Sequence, residues 1–123
     1  MAKPLVLIVD DEPGLLELFA AMVAPLGCRV QLAQGGQQAL ALLDEQTPDL
    51  LILDLAMPGM SGYEVLSHVK EVPRLDAMRV MVLTATGPRV APATMDPRIS
   101  RWTSKPISPR EFRQIVAELL AED

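Results

Sequence analysis

The sequence predicts a doubly wound α/β sandwich, a parallel sheet of five strands with helices packed on both faces. Short apolar runs alternate along the chain with amphipathic stretches of helical period. Two of those runs, Leu5-Val6-Leu7-Ile8-Val9 and Leu50-Leu51-Ile52-Leu53, are continuously apolar, as strands covered on both faces must be. Size agrees with this. The chain has 123 residues, 50% of them hydrophobic, which suits one domain spanning residues 1–123 around a single core. Strands that alternate with helices join through right-handed crossovers into a parallel sheet.

The first strand, residues 5–9, ends abruptly in Asp10-Asp11-Glu12-Pro13. Leu15, Leu16, Leu18, Phe19, Met22 and Val23 then recur at helical spacing, with Asp11 as the expected N-cap and Pro25-Leu26-Gly27 as the stop. Residues 28–33 read as the second strand and residues 36–46 as the second helix, whose apolar side is Ala39, Leu40, Leu42 and Leu43. The third strand runs between Asp49 and Asp54 and meets the turn-forming Met57-Pro58-Gly59-Met60-Ser61-Gly62. Val65, Leu66 and Val69 give a third helix, residues 63–72, its stripe. Residues 79–84 read as the fourth strand and 99–104 as a weaker fifth. Ser108-Pro109-Arg110-Glu111 is a capping box with proline at the first helical position. It opens a last helix whose face is Phe112, Ile115, Val116, Leu119 and Leu120. Between Gly87 and Arg98, Pro88, Pro92 and Pro97 interrupt the pattern. Each interior proline costs a helix about 3 kcal/mol, so the helix between the last two strands is expected to be short or absent.

Composition narrows the function. Lys+Arg number 11 against 16 Asp+Glu, a net charge of −5, which argues against direct nucleic-acid binding through phosphate neutralisation. The single Cys28 excludes an intrachain disulfide and a cysteine zinc cage, and the single His68 excludes a histidine-rich metal site. The expected compartment is the reducing cytoplasm. No apolar run approaches the roughly 20 residues that span a bilayer, and Met1-Ala2-Lys3-Pro4 leads straight into a strand instead of a cleavable leader. A monomer or weak dimer is expected.

In an open parallel sheet the strand ends gather along one edge, where such folds bind their ligands. Here that edge collects Asp10 and Asp11 after the first strand, Asp54 after the third, Thr84 at the end of the fourth and Lys105 after the fifth. Carboxylates brought so close repel one another, so either a proton is held or a cation is bound. Mg²⁺ suits the set, because it takes one or two carboxylates together with waters and phosphate oxygens. Asp54, at the centre, is then a candidate nucleophile able to carry a phosphoryl group as a mixed anhydride. Thr84 offers that group a hydroxyl hydrogen bond and Lys105 a point charge.

In order and over nearly the whole chain, these residues resemble the receiver domain of bacterial two-component response regulators, including the single-domain chemotaxis regulators. The resemblance rests on Val9-Asp10-Asp11-Glu12, on Asp54 followed by Met57-Pro58 and Ser61-Gly62, on Thr84-Ala85 and on Lys105-Pro106. It implies a flavodoxin-like sheet of order 2-1-3-4-5 with about five helices. It also implies a phosphoacceptor, Asp54, served by a histidine kinase or phosphotransfer protein, and an affinity for a downstream protein that phosphorylation switches. Mg²⁺ would be held by Asp11, Asp54 and the Ala56 backbone carbonyl, with Asp10 helping through water. Thr84 and Lys105 would contact the phosphoryl group, and the Lys105-Pro106 peptide would be cis. Trp102 falls where the family usually has a Tyr or Phe whose rotation reports phosphorylation, so Thr84 and Trp102 are the implied switch. Such a module catalyses only its own phosphorylation and dephosphorylation.

Taken singly, each residue has a plainer reading. Asp11 could cap a helix, Asp10 could be a solvated strand end, Thr84 an ordinary strand residue, Lys105 a surface lysine and Trp102 core packing. Cys28 reads as a small buried hydrophobe and His68 is given no role. Arg98, Arg101, Lys105, Arg110 and Arg113 against Glu111 form a basic cluster that is either a solvated face or a docking surface. Two other function classes compete. An aspartyl-phosphate hydrolase of the haloacid dehalogenase type has its nucleophile on the first strand and an acid two residues later, where this chain has Ala56 after Asp54. A phosphorylation-independent scaffold would not need the complete set of acids, Thr84 and Lys105.

Overall fold

The computed structural model describes residues 3–85 and 99–121. In chain order the elements are β1 (Leu5–Val9), α1 (Pro13–Val23), β2 (Arg29–Ala33), α2 (Gly36–Glu45) and β3 (Leu50–Leu53). They continue with α3 (Gly62–Lys70), β4 (Arg79–Thr84), β5 (Arg101–Ser104) and α4 (Pro109–Ala121), and short 3₁₀ turns follow α1 and α3. All strand pairs are parallel, in the order β2-β1-β3-β4-β5. This is the flavodoxin-like arrangement, with four α-helices among the described residues. The expectation of a short or absent helix between Gly87 and Arg98 lies outside the described residues.

The sheet divides the apolar interior in two, because successive side chains of a strand point to opposite faces. Leu7, Val9, Leu51, Leu53, Val80 and Val82 pack with Ala39 and Leu43 of α2 and with Val65, Leu66 and Val69 of α3. Val6, Ile8, Leu50, Ile52, Met81 and Leu83 pack with residues of α1 and α4, where Phe19 and Phe112 stack at 4.9 Å. The uninterrupted apolar runs of β1 and β3 thus serve two clusters, where the sequence suggested one core. Each fully buried Leu, Ile or Val contributes roughly 1.5–3 kcal/mol.

Local departures from the sequence reading have local causes. Asp11 does not cap α1: the N-cap is Glu12, which makes no side-chain cap, and Pro13 fills the first turn without an N–H to satisfy. The Glu12 N–H donates instead to Asp10 Oδ1 at 3.0 Å. Strand β2 starts at Arg29, and Cys28 before it is only half-buried, its Sγ donating to the Val23 carbonyl. Helix α3 begins with a capping box in which Ser61 Oγ accepts from the Glu64 N–H and Glu64 Oε1 accepts from the Ser61 N–H. At the end of α2, Arg74 donates to the carbonyls of Leu43 and Gln46 and to Thr47 Oγ1, satisfying acceptors the helix cannot reach itself. Among the described residues, no helix is long and apolar enough to cross a membrane.

Candidate functional site

Strand order reverses beside β1, which lies between β2 and β3, and the crevice at such a switch point is where open α/β sheets bind ligands. Register places Val9 opposite Leu53, so the next residue on each strand is an aspartate. The Asp54 N–H donates to the Val9 carbonyl at 3.1 Å and the Asp10 N–H to the Ala33 carbonyl at 3.2 Å, which extends the ladder to the acids themselves. Both carboxylates are buried, Asp10 with 2% and Asp54 with 5% exposure.

The two acids are held alike. Asp10 Oδ1 accepts from the Glu12 N–H at 3.0 Å and Asp54 Oδ1 from the Ala56 N–H at 3.1 Å, each from two residues ahead. Their second oxygens share one cation: Lys105 Nζ donates to Asp10 Oδ2 at 2.9 Å and to Asp54 Oδ2 at 3.4 Å. Lys105 reaches them because its N–H donates to the Thr84 carbonyl, continuing β5 alongside β4, and the chain then turns at a cis Lys105–Pro106 peptide. Half-buried Asp11 completes a group in which Asp10, Asp11 and Asp54 each offer an oxygen within 4.8 Å of the others.

Among the described residues the charge at this edge is unbalanced, three clustered carboxylates against the one ammonium of Lys105. Burial pushes the Asp54 carboxyl above its ordinary value; the Ala56 N–H and Lys105 oppose this, while the charge of Asp10 adds to it. Burial pulls Lys105 down, but its hydrogen bond to Asp10 and the charges of Asp54 and Asp10 outweigh that and hold it above the ordinary lysine value. An oxygen-only donor set with residual negative charge fits a hard divalent cation such as Mg²⁺.

Thr84 is fully buried at the end of β4, and Ala56 is exposed. Trp102 is half-buried against the cluster on the α2 and α3 side, its Nε1 buried without a hydrogen-bond partner among the described residues. Two features escaped the sequence reading. The shortest contact of Lys105 is with Asp10, an acid read as working through water. Gly62, read as a turn residue, is a point of close approach: a Cβ there would lie 2.5 Å from the Asp54 carbonyl oxygen and 2.7 Å from Leu55 Cα. A glycine placed directly after a Ser N-cap, at the first position of a helical pattern, is the signal that could have found it. Beside Lys105 an apolar cleft of about 390 Å³ is lined mainly by Leu15, Leu18, Phe19, Met22, Pro106 and Ile107.

Residues 6–117 match the family described as the response regulator receiver domain. The chain belongs to that family. Receiver domains are phosphoacceptor signalling domains of two-component systems; they bind Mg²⁺ at an acidic cluster and interact with histidine kinases or phosphotransfer proteins and with downstream targets. The chain is 31% identical over 119 residues to an uncharacterized 14.6 kDa protein of Leptolyngbya boryana, covering 96% of this chain and 91% of that one. It is 36% identical over 126 residues to response regulator Rre1 of Synechocystis, covering 98% of this chain but 54% of Rre1, so it spans about half that relative's length. The receiver fold is also similar to that of response regulator TrrA from Thermotoga maritima, solved in complex with Mg²⁺-BeF, with a TM-score of 0.80 and 28% identity over 94% of this chain and 98% of TrrA.

Proposed function

We propose that this receiver domain takes a phosphoryl group on Asp54 from a histidine kinase or phosphotransfer protein in a Mg²⁺-dependent reaction. One observation carries the reading: Asp54 is buried at the switch point with one oxygen held by the Ala56 N–H and the other by Lys105, beside two further acids. An Asp54 oxygen attacks the donor phosphorus; the P–O bond forms as the P–N bond of the donor's phosphohistidine breaks, its electron pair returning to the imidazole. Asp11, Asp54 and the Ala56 carbonyl would hold Mg²⁺, with Asp10 acting through water. Bound there, the ion supplies charge neutralisation for the transferring group. Lys105 provides a second positive charge at the same oxygens, and the Thr84 hydroxyl a donor at the neighbouring strand end.

The cleft beside Lys105 offers the partner an apolar seat next to Asp54, with Leu18 prominently exposed on its rim. Arg110 and Arg113 of α4, with Arg101, which also pairs with Glu118 at 3.0 Å, are a second docking candidate. Output follows as a population shift in which a doubly charged group at the sheet edge biases Thr84 and Trp102 and changes affinity for a downstream protein. No acid stands at Ala56 to turn the acyl phosphate over on other substrates, so the only chemistry is the domain's own phosphorylation and dephosphorylation. The setting is the cytoplasm, as a monomer or weak dimer, without direct nucleic-acid contact.

The test is incubation with Mg²⁺ and acetyl phosphate, read by intact mass, with Asp54→Asn alongside. One phosphoryl adduct, lost in the variant, is expected. No adduct in the wild type, together with no response of Trp102 fluorescence to Mg²⁺ and beryllofluoride, would replace this reading with a phosphorylation-independent scaffold.

A further inference from the structure

Two loops carry the acids, one after β1 and one after β3, and the loop between β2 and α2 touches both. Gln34 Nε2 donates to the Asp11 carbonyl at 3.3 Å, while the Gln34 N–H is itself held by Gln38 Oε1 in the first turn of α2. Two residues on, Gly36 opens α2 against Met60. A Cβ at Gly36 would lie 2.7 Å from Met60 Cγ and 2.9 Å from its Cβ and Sδ, so Met60 sits in space that any other residue would fill. Gly35, with φ of 113°, makes the turn that brings Gly36 there. Met60 belongs to the loop that begins at Asp54 and Ala56, where the Ala56 N–H holds the Asp54 carboxylate.

We propose that Gln34 and Gly36 are positioning residues: the β2–α2 loop braces the Asp11 and Asp54 loops and sets the spacing of the carboxylates that take the cation. The inference rests on reading Asp10, Asp11 and Asp54 as the Mg²⁺ site. Three carboxylate oxygens within 4.8 Å of one another repel, so unbraced loops relax apart and the metal must draw them back together. Gln34 acts through its hydrogen bond to the Asp11 main chain, and Gly36 acts through Met60. Because Met60 Cβ is among the atoms a methyl at position 36 would meet, a rotation of the far end of the methionine does not clear it, and the loop itself has to shift. Neither residue touches the acids' side-chain oxygens; both act as outer supports of a metal site do.

Mg²⁺ alone is titrated into the whole protein and followed by the amide NMR shifts of Asp11, Asp54 and Ala56, with melting temperatures measured alongside. Wild type should bind and Asp11→Asn should bind far more weakly. Gly36→Ala should weaken binding roughly tenfold, and Gln34→Met, of similar length without the donor, by less. Adding Met60→Gly to Gly36→Ala, which removes the Cβ as well as the rest of the side chain, should restore affinity. A purely structural role would lower melting temperatures and leave Mg²⁺ affinity unchanged in both variants, which would overturn the brace. Weakening by Gly36→Ala that Met60→Gly fails to relieve would overturn the route through Met60. A wild type no more responsive to Mg²⁺ than Asp11→Asn would overturn the metal reading, and the brace with it. If Gly36→Ala does not fold, Gln34→Met decides.

Discussion

On the α2 and α3 side of the sheet the loops at the acidic edge interlock: Met60 sits over Gly36, Gly62 lies against the Asp54 carbonyl, and Ser61 and Glu64 cap the helix reciprocally. On the α1 and α4 side the described residues leave a cleft of about 390 Å³ at the same edge, running from Lys105 past Pro106 to the apolar face of α1, where Leu18 is 48% exposed. Below the edge the two sides are alike, each a cluster of buried apolar side chains on one face of the same strands. The difference therefore concerns the site and not the core. One side holds Asp54 in place, and among the described residues the other leaves it approachable.

The comparison breaks most visibly at glycine. Gly62→Ala places a methyl against the backbone at Asp54 and Leu55, which cannot rotate out of the way as a side chain can. Overpacking of this kind costs about 1–3 kcal/mol, and the upper end is expected here. Denaturant unfolding should show that loss, together with a large drop in acetyl phosphate labelling of Asp54. Gly14, in the first turn of α1 on the cleft side, has none of the described residues within 4 Å of the point a methyl would occupy. Gly14→Ala should leave labelling intact and stabilise by up to about 1 kcal/mol, since alanine is the better helix residue. Equal destabilisation by the two changes would remove the contrast between the sides.

A smaller effect, of opposite sign, is expected at Asp54 itself. Burial raises the Asp54 carboxyl above its ordinary value even against the pull of the Ala56 N–H and Lys105. The folded state therefore holds this proton more tightly than the unfolded chain. That contribution to stability is fully present below about pH 3.9, the ordinary aspartate value, and is lost as pH rises through the folded-state pKa. At neutral pH without Mg²⁺ the ionised Asp54 opposes folding, so Asp54→Asn should stabilise by about 0.5–2 kcal/mol, near 4 °C of melting temperature per kcal/mol. The gain should shrink as pH falls toward 4. A variant less stable than wild type at neutral pH would mean that the Lys105 contact outweighs the burial.

Much of this was legible from residue order, and the reasons differ by element. β1 and β4 appear with the boundaries their apolar runs predict, because a strand covered on both faces tolerates no polar residue until it ends. The gathering of Asp10, Asp11, Asp54 and Lys105 was legible for a related reason, each following a strand in a sheet whose strands all point one way. The N-cap of α1 was misread because Asp11 and Glu12 are both acids, and Pro13 alone marks where the helix begins. Ser61 and Glu64 have the spacing of a capping box and could have been read from sequence. Arg74 could not, since its acceptors lie 27 to 31 residues away in the chain and meet it only through folding. The seat of Met60 over Gly36 is of the same kind: composition marks a turn there, and only the fold shows what fills it.

The open side allows the least disruptive test. Leu18 lies on the rim of the cleft with about half its surface in water, so Leu18→Ser removes little buried area and should change stability by no more than about 0.5 kcal/mol. Labelling by acetyl phosphate needs no protein surface and should proceed at the wild-type rate. Transfer from a phosphorylated kinase or phosphotransfer domain does need a surface, and an apolar side chain in the centre of a contact is the kind whose loss is felt in affinity. Its rate at limiting donor should fall several-fold, with the rate at saturating donor less affected. Unchanged transfer from every protein donor tried would show that the cleft is not the approach. The basic residues Arg101, Arg110 and Arg113 would then be the surface to reverse in charge, and the distinction between a closed and an open side would describe packing alone.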